Sequence, residues 1–317
     1  MINIVIILTS CTTSVLSQKR RDEEKTHVGF RHSTGVIVAS IPKSGTTWLK
    51  ALTFFVVNRQ RFYPSENRPL LTSNPHELGP FLEFIFQDDY VQDKHSYLSN
   101  MTQPRTFGTH IPFSSLCKSI KESNCKIIYI CRNPFDTFVS AWIFSLKHKP
   151  ESLHEVTIEE ALEKYCKGII AFGPTWDHML GYWKESIVAP NKVLFLKYEE
   201  LKENSNFYVK RVTEFLDSPF VEEEEGNGVI ENIVKLCSFE NMKNLEVNKS
   251  GTFDRNFEKK NTYFWLWLFL LRKEASVSCA DKNILQKHTS NILSKHSNLN
   301  KHSNHIDKHL TNIVLPF

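Results

Sequence analysis

Three stretches of the chain are apolar at nearly every position over a strand's length, and each gives way at once to a turn and a helical period. They are Val36-Ile37-Val38-Ala39-Ser40-Ile41, Lys126-Ile127-Ile128-Tyr129-Ile130-Cys131 and Val193-Leu194-Phe195-Leu196. None shows the polar alternation of a half-solvated strand, so each is expected to be covered on both faces. After the first run, Pro42 to Thr46 break the pattern and Thr47 to Arg59 read as a helix. After the second, Arg132-Asn133 lead to Pro134, a favoured first residue of a helix. Residues 156–186 read as helical with an interruption near Gly173-Pro174. Tyr198 to Leu201 lead out of the third run, and further helices fit Ser205 to Leu216 and Gly228 to Cys237. Strands alternating with helices predict an α/β fold, a central parallel sheet flanked by helices. Residues 60–106, rich in Pro, Asn and aromatics, read as loops shaping a pocket, with short helical turns around Leu78 to Phe86.

The pattern fails at both ends. Residues 1–34 read as an irregular leader. Its apolar residues 2–8 resemble the core of an export signal, but no positive charge precedes them and Lys19-Arg20-Arg21 follow. Tyr263 to Leu271 is apolar throughout but falls well short of the ~20 residues that span a bilayer, so a buried element is expected there and no membrane. Residues 275–317 form a tail rich in Lys, His, Asn and Ser. Its five histidines follow no metal-ligand spacing, and biased composition explains them equally well.

Charge and composition narrow the picture further. The net charge over 317 residues is +4. The last 37 residues carry five Lys and two Asp, so the body is near neutral and a general nucleic-acid binder is not expected. Seven cysteines without a C-x-x-C pair fit neither a disulfide framework nor a zinc site, which points to a reduced, cytoplasmic setting. Glycine is scarce, 11 in all against a usual share of roughly 7%, so each loop glycine draws attention.

The first apolar run feeds Pro42-Lys43-Ser44-Gly45-Thr46-Thr47-Trp48 and then a helix. A strand that delivers a glycine loop to a helix N-terminus aims main-chain N–H groups and the positive end of the helix dipole at one spot. A lysine and three hydroxyls make that spot suit a phosphate or sulfate; a plain strand–helix turn capped by Thr46 or Thr47 is the blander alternative. The nucleoside-triphosphate loop G-x-x-x-x-G-K-[ST] places its Lys after the second Gly. Here Lys43 precedes the only Gly, which counts against ATP or GTP hydrolysis. The second run ends in Arg132-Asn133-Pro134-Phe135-Asp136-Thr137-Phe138-Val139-Ser140. Arg132 offers a forked grip and Ser140 a hydroxyl, which suit a second phosphate. A local pairing of Arg132 with a carboxylate is the alternative.

The two stretches together resemble the cofactor signatures of the cytosolic sulfotransferases, in wording nearest the plant branch that includes flavonol sulfotransferases. Leu70 to Glu77, Phe107 to Phe113, Phe172 to Trp183, Lys197 to Leu201 and Leu236 to Ser250 also match, in the family's order. The resemblance implies the sulfotransferase fold as a single P-loop-like domain, over residues 35–274 with an uncertain end after 260. It also implies transfer of a sulfuryl group from 3′-phosphoadenosine-5′-phosphosulfate (PAPS) to a hydroxyl of a small apolar metabolite, such as a flavonoid, a steroid or a hydroxylated hormone. Lys43, Ser44, Gly45, Thr46, Thr47 and Trp48 would hold the 5′-phosphosulfate, with Thr46, Thr47 and the loop amides on the sulfonate oxygens. Arg132 and Ser140 would hold the 3′-phosphate, and Tyr198 with Cys237, Ser238 and Phe239 would line the adenosine. His110 is the implied base and Lys43 the implied stabiliser of the leaving oxygen; no metal is required. Phe54, Phe81, Phe86, Phe113, Trp142 and Phe144 are candidates for an acceptor pocket or for plain core.

The match fails near the C-terminus. The family closes over the 3′-phosphate with Arg-Lys-Gly and a following Gly-Asp-Trp or close variant. Here Arg272-Lys273 are followed by Glu274, and no Asp-Trp comes after. A carboxylate beside a phosphate is unfavourable. Three readings follow: an active sulfotransferase with a weakened clamp, a sulfotransferase-fold protein that has lost transfer, and another phosphate-binding α/β enzyme such as a nucleotide kinase. The dimer segment K-x-x-x-T-V-x-x-x-E of the animal branch is not found, which favours a monomer.

Overall fold

A computed structural model describes residues 35–62, 69–85, 98, 100–101, 103–148 and 157–249. The leader, the aromatic run 263–271, Arg272, Lys273, Glu274, Phe86 and the tail lie outside them. Among the described residues four parallel strands form the sheet: β1 (Val36–Ser40), β2 (Thr106–Thr109), β3 (Lys126–Cys131) and β4 (Val193–Lys197). Their order is β2-β1-β3-β4, with Val36 opposite both Thr106 and Lys126 and Ile127 opposite Val193. The three apolar runs are thus strands, and β1 and β3 are buried along almost their whole length.

β2 begins at Thr106, the last residue of the stretch read as loops, and runs through Phe107 to Thr109, which the sequence pattern leaves unassigned. Only four residues long and carrying Gly108, it has too little apolar pattern to announce itself; its place is fixed by pairing with β1. The helix read over Thr47 to Arg59 is α1 (Thr46–Phe62), and the following stretch read as loops with helical turns contains two single-turn helices, α2 (Pro75–Leu78) and α3 (Leu82–Ile85). Asn74 caps α2 in a reciprocal box with Glu77, its side chain accepting the His76 N–H at 2.9 Å.

The described residues group into two compact units. One comprises the residues up to Cys131 together with those from Gly181, and the other those from Arg132 to Leu180. In the first, alternate strand residues face opposite ways. Ile128 and Ile130 join Val36, Val38 and Leu196 in packing against Leu49, Leu52 and Val56 of α1. Tyr129 points to the other face and stacks between Tyr182 and Phe195, at 4.4 and 5.2 Å between ring centres. Phe54 belongs to the core, in contact with Phe55 and Phe62, which settles its sequence alternatives in favour of packing.

The second unit contains α4 (Pro134–His148), α5 (Ile158–Cys166) and the start of α6 (Thr175–Val188). Phe138, Ala161 and Tyr165 form its buried centre, and the Tyr165 hydroxyl donates to the Pro134 carbonyl at 3.1 Å. The break read at Gly173-Pro174 is the gap between α5 and α6.

Candidate functional site

In the order β2-β1-β3-β4 the connections leaving the adjacent strands β1 and β3 run to opposite edges of the sheet. In open parallel sheets ligands bind beyond the carboxyl ends of the strands at such a point. Every strand here ends at a residue singled out from the sequence. β1 runs into Lys43–Thr47, His110 follows β2, Arg132 follows β3, and Tyr198 follows β4.

The loop after β1 is built for close approach. Lys43 and Gly45 both adopt positive φ, 71° and 97°. At Gly45 an added Cβ would lie 2.6 Å from Cδ2 of Tyr198, so the aromatic ring occupies the place a side chain would need. Tyr198 also meets Trp48 edge-on at 5.6 Å. The first i to i−4 hydrogen bond of α1 runs from Leu49 N–H to Gly45 carbonyl at 3.0 Å, so the N–H groups of Thr46, Thr47 and Trp48 have no intrahelical acceptor. Ser44 is buried and Thr47 exposed. The Thr46 hydroxyl turns inward and shares a 2.6 Å hydrogen bond with the Ser40 hydroxyl; what Thr46 offers the loop is its main-chain N–H.

His110 is tied to the same strand end. Its Nδ1 lies 2.7 Å from the Ser40 carbonyl oxygen. A carbonyl only accepts, so Nδ1 carries the hydrogen and Nε2 is the proton-accepting nitrogen of the neutral ring. Ser40 thereby joins the base candidate to Thr46 of the anion loop. The Tyr182 hydroxyl, donating to the Ile111 carbonyl at 2.7 Å, holds the next residue.

Behind these groups lies a polar cluster that sequence reasoning missed. Lys50 is 2% exposed. Its Nζ is 2.9 Å from His76 Nδ1 and 3.9 Å from the centre of the Phe81 ring. As an ammonium Lys50 can only donate to Nδ1, and His76 then carries its hydrogen on Nε2 and donates to the Thr47 hydroxyl at 3.1 Å. Burial holds the Lys50 ammonium pKa well below the usual lysine range, opposed by the charge of Glu83. Burial, then the charges of Lys50, His110 and Lys43, likewise push the His76 imidazole well down. Burial pushes the Glu83 carboxyl up to about 7, against hydrogen bonds from the His110 main chain and the Thr109 hydroxyl and the nearby Lys50. The signal for these residues was a lone charge in an apolar run, Lys50 in the helix after the loop and Glu83 in Phe81-Leu82-Glu83-Phe84-Ile85.

Ser238 caps α7 (Phe239–Asn244) by accepting the Asn241 N–H at 3.3 Å, and Phe239 is exposed. In the second unit Asn133 caps α4, accepting the Phe135 N–H at 2.9 Å; Arg132 reaches Asp136 at 3.7 Å, and Ser140 is half-buried. The local carboxylate partner considered for Arg132 is therefore present, in an exposed and long contact worth little by itself.

Trp48 Nε1 provides a test of fit for an anionic cofactor, being buried with no acceptor among the described residues. A buried donor of this kind calls for a partner. Together with the N–H groups of α1 and the basic loop, it fits a phosphosulfate or a similar anion.

A parallel sheet that delivers a Lys-Ser-Gly-Thr-Thr loop to a helix N-terminus defines an α/β protein whose loop is suited to a phosphate or sulfate group. The Sulfotransferase domain family model matches residues 33–265, and the chain belongs to that family. It is similar to cytosolic sulfotransferase 15 of Arabidopsis thaliana, 51% identical over 75% of this chain and 64% of the relative. It is also similar to cytosolic sulfotransferase 14 of the same plant, 50% identical over 75% and 67%. The chain thus spans about two thirds of the length of these relatives, slightly less for the first. Among solved structures, an Arabidopsis thaliana sulphotransferase is 40% identical, covering 81% of this chain and 84% of its own, with a TM-score of 0.57. A mouse sulfotransferase complexed with PAP, 22% identical with a TM-score of 0.56 over 91% and 92%, shares the fold. No described helix is long and apolar enough to cross a membrane.

Proposed function

We propose that the chain is a cytosolic sulfotransferase that uses PAPS to sulfate a hydroxyl of a small apolar metabolite. The observation that carries this reading is the shared anchor at Ser40. The strand end that feeds the anion loop also fixes the tautomer of His110, through the 2.7 Å contact of Nδ1 with the Ser40 carbonyl.

Lys43 to Trp48 would hold the 5′-phosphosulfate, Arg132 and Ser140 the 3′-phosphate, and Tyr198, Ser238 and Phe239 the adenosine. Arg272 and Lys273 would close over the 3′-phosphate. When bound, PAPS supplies the sulfuryl group. His110 Nε2 takes the proton of the acceptor hydroxyl as that oxygen becomes a nucleophile. Lys43 sets positive charge beside the oxygen on which negative charge grows. The N–H groups of Thr46, Thr47 and Trp48 and the Thr47 hydroxyl are suited to anionic oxygens. A second reading, cofactor binding without transfer, draws on Glu274 standing where the family's clamp has Gly.

Calorimetry with 3′-phosphoadenosine-5′-phosphate (PAP), then labelled-PAPS assays on a panel of phenols and steroids, test both. We expect PAP to bind and at least one hydroxylated acceptor to be labelled. His110→Ala should lower transfer by about 10²-fold or more with PAP affinity retained. Binding without transfer leaves the second reading; ATP binding without PAP binding overturns both.

A further inference from the structure

Glu83 stands where a carboxylate is expensive. One of its oxygens, Oε2, is shut off from solvent with no hydrogen-bond partner among the described residues. The other, Oε1, accepts the main-chain N–H of His110 in a short hydrogen bond. Burying a carboxyl costs several kcal/mol unless its contacts compensate, and a main-chain N–H could be satisfied by any neutral carbonyl. A carboxyl buried at that cost and spent on the N–H of the candidate base therefore asks for a reason beyond satisfying an amide.

The reach of Glu83 is set by the fold. Gly108 N–H donates to the Pro80 carbonyl at 2.9 Å, and Phe81 pairs with Gly108 as an isolated parallel bridge. The approach requires glycine, because a Cβ at 108 would lie 2.9 Å from two carbons of the Phe81 ring and 3.2 Å from Lys50 Nζ. With that segment stapled to β2, α3 begins one residue later and carries the Glu83 carboxylate to the residue that follows β2. The Phe81 ring packs on His110 at 4.8 Å between centres, on His76 at 5.2 Å, and under Lys50. The charged and titratable groups that face the carboxyl are Lys50 from α1, His110 after β2 and Tyr182 from α6.

We propose that Glu83 is a positioning residue for the transfer reaction: it grips the main chain of His110 so that ring Nδ1 stays on the Ser40 carbonyl and Nε2 remains the proton acceptor. The Tyr182 hydroxyl on the Ile111 carbonyl and the Thr109 hydroxyl on the Ile111 N–H hold the residue after His110, and Glu83 holds His110 itself. Glu83 from one side and the Ser40 carbonyl from the other give the ring two fixed points. The proposal rests on the reading of His110 as the base.

The test compares Glu83→Ala with Glu83→Gln, whose amide oxygen can still accept the N–H. Ring ¹⁵N spectra of histidine-labelled protein, with His110 assigned through His110→Asn, should show Nδ1–H in the wild type and in Glu83→Gln. Tautomer exchange or reversal should appear in Glu83→Ala. In labelled-PAPS assays kcat should fall about 30-fold in Glu83→Ala and within about fivefold in Glu83→Gln, both keeping the wild-type affinity for PAP. If Glu83→Ala does not fold, Glu83→Asp, one methylene too short to reach, replaces it with the same expected direction. An unchanged His110 tautomer in the Ala or Asp variant, or a Gln variant as impaired as Ala, overturns the proposal. A wild-type chain that binds PAP but transfers nothing would instead end the functional reading. The ring spectra would still decide whether Glu83 orients His110.

Discussion

The Lys50 side-chain nitrogen lies 2.9 Å from Nδ1 of His76, and in its ammonium form this contact sets which nitrogen of His76 carries the hydrogen facing Thr47 of the anion loop. With Nδ1 accepting, Nε2–H donates to the Thr47 oxygen and leaves the Thr47 hydroxyl hydrogen to point elsewhere. His76 and His110 therefore hold opposite tautomers at opposite ends of one cluster, with the Phe81 ring packed against both.

Lys50→Met should alter the pH dependence of stability. Lys50 in the unfolded chain keeps its proton to about 10.4, whereas burial lowers its pKa in the fold. Between the two values the unfolded state binds more protons, so this residue's contribution to stability rises with pH and levels off above 10.4. Wild type should therefore gain on Lys50→Met as pH is raised from 7 toward 10, in urea midpoints taken at half-unit steps. A gap between the two proteins that stays constant over that range would sink the argument.

Gly45→Ala should damage the loop through two separate effects. Its φ of 97° disfavours any L side chain, and the new Cβ would meet Tyr198 at 2.6 Å. Backbone strain of this kind costs about 1–3 kcal/mol. Affinity for PAP should fall more than about tenfold, an energetic loss of over about 1.4 kcal/mol. Adding Tyr198→Ala would remove the collision but not the strain, so it should not restore stability fully. Calorimetry showing wild-type PAP affinity in Gly45→Ala would refute the loop's role in anion binding.

How much of this could be read from the sequence depended on whether the signal was local. β1, β3 and β4 announce themselves because a strand buried on both faces must be apolar throughout, and the anion loop because its Lys, Gly and Thr residues are consecutive. β2 escapes because four residues around Gly108 gain their identity from pairing with β1. Lys50, His76 and Glu83 come from three different helices and meet only once β2 has brought Gly108 against Phe81. Their cluster is a property of packing. Phe54 illustrates the reverse limit: an aromatic residue near a site looks the same in sequence whether it lines a pocket or fills the core.

Arg59 tests how far burial decides the worth of an ion pair. It is 5% exposed and its Nε lies 2.8 Å from Glu224, itself 19% exposed. The remaining donors reach the Val56 carbonyl, the Ser218 hydroxyl and the Pro219 carbonyl, and the guanidinium lies 4.7 Å from the centre of the Phe220 ring. One residue along, Glu225 pairs with Lys210 at 2.6 Å, but both side chains are 42% exposed. Removing one partner of a buried pair leaves the other charge without compensation and costs about 3–5 kcal/mol. An exposed pair contributes about 0–1 kcal/mol. Arg59→Ala should therefore destabilise the fold by several kcal/mol in urea unfolding, while Lys210→Ala changes little. The double variant Arg59→Met with Glu224→Leu should recover much of the loss, because neither charge then remains stranded. Equal effects of the two single alanine variants would show that the Arg59 cluster draws its strength from something other than burial of the pair.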